Sequence, residues 1–130
     1  MNRPIAVAAL GMAGIFVLHT FGGEYSVHRP LLADAMTAEM DLYVSVLWHG
    51  ITAMMALGTV ALIFAALQKL PPEAMLWLIG GQTLAIGLLF VGYGIFATGD
   101  LWVAPQWILL VPLGSLILWT AQRNSGRTPA

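Results

Sequence analysis

Four stretches of this chain carry no charged side chain: residues 4–23, 42–68, 74–99 and 101–122, each at least 20 residues long. All four are dominated by Leu, Ile, Val, Ala, Met, Phe and Gly. A helix rises about 1.5 Å per residue, so roughly 20 apolar residues cross a hydrocarbon core of about 30 Å. One such run fits a helix buried in a soluble core, but four in succession do not. The pattern predicts an all-α, integral membrane four-helix up-down bundle in a single transmembrane domain covering residues 1–130. Its spans are expected at about residues 4–22, 43–67, 73–97 and 103–121, with an outer loop at 23–42.

Composition agrees with that medium. Hydrophobic residues make up 59% of the chain and charged residues only 8%, against about 25% charged in a soluble domain. Net charge is −1, so the chain has no basic patch for nucleic acid, and the lipid bilayer is its expected partner. The absence of cysteine excludes disulfides, thiolate metal sites and thiol nucleophiles. Arg3 followed by an apolar run has the outline of a signal peptide. The run ends in His19-Thr20-Phe21-Gly22-Gly23-Glu24, a poor small-residue cleavage site, so a retained first span is expected.

Four spans put both termini on one side, together with Arg3, Lys69, Arg123 and Arg127, and leave only Arg29 on the other. Basic residues near span ends stay cytoplasmic, which orients the termini and the Lys69 loop inward. Pro71 and Pro72 stop one helix and start the next, with Glu73 favourably placed at a helix N-terminus. The short turns there and at Thr98-Gly99-Asp100 make neighbouring spans antiparallel. In the longer first loop, Arg29-Pro30 suits a helix start, and Leu32, Met36 and Met40 repeat every four residues. That predicts a short amphipathic helix lying at the outer interface. Close packing is expected from small-residue pairs, namely Ala9 with Ala13, Ala61 with Ala65 and Gly81 with Ala85. Trp48, Trp77, Trp102, Trp107 and Trp119 lie near span ends as an interfacial aromatic belt.

Candidate chemistry gathers at the outer end. His19 closes span one, His49 opens span two, and Glu24 and His28 lie in the loop between them. A histidine in a span is costly without a partner. Three readings stay open. In one, His19 and His49 bond to backbone or to Glu24, Asp34 or Tyr43 and tie the loop down. In another, His19, His49, Glu24 and His28 hold a transition metal, or His19 and His49 ligate a haem. In the third, His19, His49 and Glu24 form a proton or quinone site. In span three, Gln82, Thr83 and Tyr93 make a polar track whose expected partners are Thr52, Thr59 and Ser115 on other helices. Pro112 is expected to disturb span four. No nucleophile–base pair, phosphate loop or nucleotide fingerprint appears in the sequence.

The strings Phe21-Gly22-Gly23, Arg29-Pro30-Leu31-Leu32, Trp48-His49 and Pro105-Gln106-Trp107 resemble those of small four-span bacterial inner-membrane proteins of no assigned activity. The resemblance implies that membrane and the four-helix layout, and no functional residues. Economy of soluble mass and abundant packing surface lead to the expectation of a non-enzymatic accessory or scaffold subunit of a larger membrane complex. A metal- or haem-binding protein is the first alternative, and a small oligomeric transporter the second.

Overall fold

The computed structural model describes residues 2–34, 37–68 and 73–125. Among them are four helices and no strand. Three are long and apolar enough to cross a membrane: Arg3–Ala33 with 31 residues, Ala38–Leu67 with 30 and Glu73–Thr98 with 26. The fourth, Trp107–Ser125, has 19 residues.

Local chemistry sets most of the helix ends. The Asn2 side chain caps the first helix by accepting from the Ile5 N–H at 3.5 Å, with Pro4 in the first turn. Thr37 caps the second through its hydroxyl, which accepts from the Met40 N–H at 3.3 Å. Gly99, at φ 68°, ends the third helix in the left-handed conformation that glycine adopts without a Cβ penalty. The Asp100 N–H then returns to the Gly94 carbonyl at 3.0 Å. The fourth helix starts later than the expected residue 103. Asp100 accepts from the Trp102 N–H at 2.8 Å, and the Trp107 indole donates to the Leu101 carbonyl at 3.1 Å. These bonds hold the chain in a turn, so Pro105 precedes the helix instead of lying in its first turn.

The largest departure from expectation is the first helix. It does not stop at residue 22 but continues to Ala33, passing through a π-helical stretch, Leu18–His28. Arg29–Ala33 resumes α geometry on the same axis and is no separate interfacial helix. Arg29-Pro30 was expected to open a new helix; a proline there also fits the turn that follows the wide segment. Met36 of the expected amphipathic helix, the Lys69-Leu70-Pro71-Pro72 loop and Arg127 lie outside the described residues.

The helices associate as two antiparallel pairs. Asn2 donates its backbone N–H to Ala66 at 2.8 Å, which ties the start of the first helix to the end of the second. Ser125 donates to Glu73, which ties the end of the fourth to the start of the third. The two pairs meet through one core at this terminal end, built from Ile5, Ala8, Leu62, Ala65, Leu76, Ile117 and Ala121, all fully buried. The glycines that allow closest approach are not the expected Gly81, which meets nothing within 4 Å. They are Gly80, Gly87 and Gly114. A Cβ on Gly114 would lie 2.5 Å from the Leu84 nitrogen, and one on Gly87 2.9 Å from Val111. Backbones of the third and fourth helices therefore touch along this stripe, as small residues permit in lipid-solvated bundles.

Candidate functional site

The chemistry lies at the opposite end, around Trp48. His19 and His28 are nine residues apart in the first helix. In an α-helix nine residues make about two and a half turns and put the two on opposite faces. Bonding from i to i+5 widens each turn, so the same nine residues make about two turns and bring them to one face. Both rings stack on Trp48: His19 at 4.1 Å and 22°, His28 at 5.2 Å and 3°. Gly23 lies between them in sequence and forms the seat of the indole. A Cβ there would fall 2.9 Å from Trp48 Cη2. The π segment, the bare Gly23 and the indole of the second helix thus form one packed unit.

Each histidine faces an acceptor that fixes its tautomer. His19 donates from Nε2 to the Trp48 carbonyl at 3.3 Å, which leaves Nδ1 as the lone-pair nitrogen. His49 donates from Nδ1 to the Ser45 carbonyl at 2.8 Å. His28 donates from Nδ1 to the Glu24 carboxylate at 2.9 Å, and Arg29 reaches the other Glu24 oxygen at 3.2 Å. The His28 ring is buried, and its Nε2 has no hydrogen-bond partner among the described residues. The His49 ring meets it edge to face at 5.3 Å.

The sequence leaves open whether His19 and His49 share a site, and the structure adds a third ring between them in the chain. His28, expected in a loop, is the histidine brought against His49, and His19 is held by Trp48. The spacing of His28 from His19 was visible, but the wide helical turn that makes it meaningful has no signature in the sequence beyond Gly22-Gly23. Among the described residues no group of three or more His, Asp or Glu side chains converges closely enough to hold a metal ion. The His19 bond to the Trp48 carbonyl links the first helix to the second, whereas His49 bonds back to Ser45 in its own helix.

The polar track of the third helix is also satisfied differently. Thr52, Thr59 and Thr83 donate to Trp48, Met55 and Ile79, each four residues back in its own helix, and not to one another. That bond uses the hydroxyl locally and leaves no interhelical glue. Gln82 alone reaches across, to the Met54 sulfur at 3.5 Å. Tyr93 is exposed on the outer surface.

Among the described residues, cavities open between the helices, and two of them bear on the site. One, of about 310 Å³, is a groove between the second and third helices, lined by Met54, Met55, Gly58, Met75, Ile79 and Gln82 among others. The other, of about 370 Å³, lies beneath the histidine cluster and takes residues from all four helices. No family model, curated protein or solved structure matches the chain.

Proposed function

We propose that this chain is a four-span protein of a bacterial inner membrane, with both termini in the cytoplasm, that works without catalysis as an accessory subunit of a larger membrane assembly. The orientation rests on Arg3, Lys69, Arg123 and Arg127 at one end against Arg29 at the other. The observation that carries the subunit role is Gln82. Its amide stands in an apolar groove and, among the described residues, has a thioether as its hydrogen-bond partner, a weak acceptor for a group that offers two donors and a carbonyl. In hydrocarbon such a group gains most from a helix that brings its own polar partner. Ala61 lets a backbone come close, and Met54, Met55 and Met75 adapt their shape to it. The occupant is a transmembrane helix of a partner subunit.

Photo-crosslinking in the native membrane tests this. A photoreactive side chain at Leu78, on the groove, is expected to give one discrete protein adduct, and the same group at Leu10, outside it, none. The adduct should co-purify with the chain in mild detergent and weaken in Gln82→Leu. Lipid adducts alone, or equal adducts from both positions, would defeat the reading. A reporter fused at the C-terminus is expected on the cytoplasmic side.

A second reading, transition-metal or haem binding near the outer face, is favoured by one feature. Glu24 holds the His28 ring with Nε2 free, as a carboxylate does behind a ligating imidazole, and the His49 ring lies next to it. Here the ligand pair is His28 and His49 rather than His19 and His49. Stoichiometric copper or zinc lost in His28→Ala, or a Soret band, would support it; a metal-free protein with no Soret band would end it.

A further inference from the structure

The cavity beneath the histidine cluster has a composition that selects its occupant. It is bounded by His19 and Gly22 of the first helix, Trp48 of the second, Phe90 of the third, Gln106 just before the fourth and Leu110 within it. No charged side chain lines it, so nothing there would neutralise a phosphate or an ammonium headgroup. Its walls are mostly apolar, and Trp48 and Phe90 bring aromatic rings to them. Three neutral polar side chains accompany them; Ser26 donates its hydroxyl hydrogen to the Gly22 carbonyl at 2.9 Å, which leaves His19 and Gln106 to meet a ligand. With Nε2–H given to the Trp48 carbonyl, His19 offers Nδ1 as an acceptor only, so a ligand that bonds it must bring an O–H. Gln106, at the mouth of the fourth helix, offers both donor and acceptor. The size falls at the small end of ligand pockets, which run from about 300 to 1,000 Å³. That admits a substituted ring and the first part of a tail, not a whole lipid.

We infer that this cavity binds the ring of a prenyl-tailed quinol, with a ring hydroxyl donating to His19 Nδ1, the amide of Gln106 meeting a ring oxygen, and the tail leaving into the bilayer. The placement of the tail rests on the membrane reading above; the ring site does not. Trp48 is the wall that positions the ring, and it is itself held by His28 and by the absence of a side chain at Gly23.

Gly22 supplies a clean test, because a Cβ there meets nothing within 4 Å while the residue lines the cavity. A larger side chain fills the space without a clash at its root. The full chain in phosphatidylcholine nanodiscs is titrated with decyl-ubiquinol, and quenching of tryptophan emission is followed. Saturable quenching is expected. Gly22→Leu should weaken it by at least about tenfold, in line with overfilling a packed site. Gly14→Leu, at an open surface position of the same helix, should leave it unchanged. His19→Phe, which keeps a ring on Trp48 but removes the acceptor, and Gln106→Leu should each weaken binding. They carry the test if Gly22→Leu fails to fold. Decylbenzene, with the same tail and no hydroxyl, should compete poorly. Absence of saturation, equal binding by Gly22→Leu and Gly14→Leu, unchanged binding in both His19→Phe and Gln106→Leu, or equal competition by decylbenzene would overturn the inference. Failure of the crosslinking experiment at Leu78 would leave this result untouched, since the substituted Gly22, His19 and Gln106 line this cavity and not the groove, although Ile51, Met55, Ile86 and Leu110 border both.

Discussion

The two ends of this bundle are built to different rules. At the terminal end, Ile5, Leu62, Leu76 and Ile117 are fully buried against one another, and the ends of both helix pairs are tied by Asn2 to Ala66 and by Ser125 to Glu73. At the histidine end there is a cavity, a widened helix, a buried His28 nitrogen with no partner among the described residues, and a set of rings stacked on Trp48. Lipid is as apolar as a leucine side chain, so burial by itself gives these helices little reason to associate. Contact and close backbone approach do that work, and they are concentrated at the terminal end and along the Gly80, Gly87 and Gly114 stripe. The histidine end instead spends its polar groups on fixing tautomers and ring positions. One end holds the fold, and the other gathers rings and polar groups around a cavity.

That contrast gives an ordered set of expectations. Gly114→Leu should have the largest effect, because its side chain would begin 2.5 Å from the Leu84 backbone, where no side-chain rotation gives relief. The third and fourth helices should separate, seen as loss of the cooperative thermal transition in detergent. Leu62→Ala empties part of the terminal core. Its cost should fall at the low end of the roughly 2–5 kcal/mol typical of such truncations, because lipid removes most of the transfer contribution and leaves the cavity contribution. Thermal unfolding monitored by circular dichroism measures it. Gly23→Ala pushes on the far edge of the Trp48 ring, which can yield, so about 1–3 kcal/mol is expected, with a changed near-ultraviolet signal that marks the lost stack. Gly14→Ala meets open space and should cost nothing, gaining up to about 0.5–1 kcal/mol from helix propensity. If Gly23→Ala proved more damaging than Leu62→Ala, the division into a holding end and a histidine end would fail.

The helical class and the places of the apolar helices were legible because they depend on local composition: long uncharged runs fold as helices wherever they lie in the chain. Helix ends were legible where a local signal set them, as at Gly99, and were misplaced where tertiary contacts did. The first helix is expected to stop near Gly22-Gly23, where the charge-free run closes. These glycines instead mark the segment where the helix widens and Trp48 settles on Gly23. The helix–helix contact was expected at Gly81 because it heads a small-residue pair. Gly80 faces the fourth helix instead, and one residue of offset turns a helix face by about 100°.

What residue order fixed by itself was the kind of element, since a charge-free run of this length has few ways to satisfy its own backbone except by coiling on itself. What waited for tertiary structure was which polar groups meet. His28 and His49 come from different helices and touch only because a stretch of the first helix turns more widely than α geometry. Periodicity in a sequence assumes one turn size, and where packing changes that size the face a residue occupies is decided by its neighbours in space.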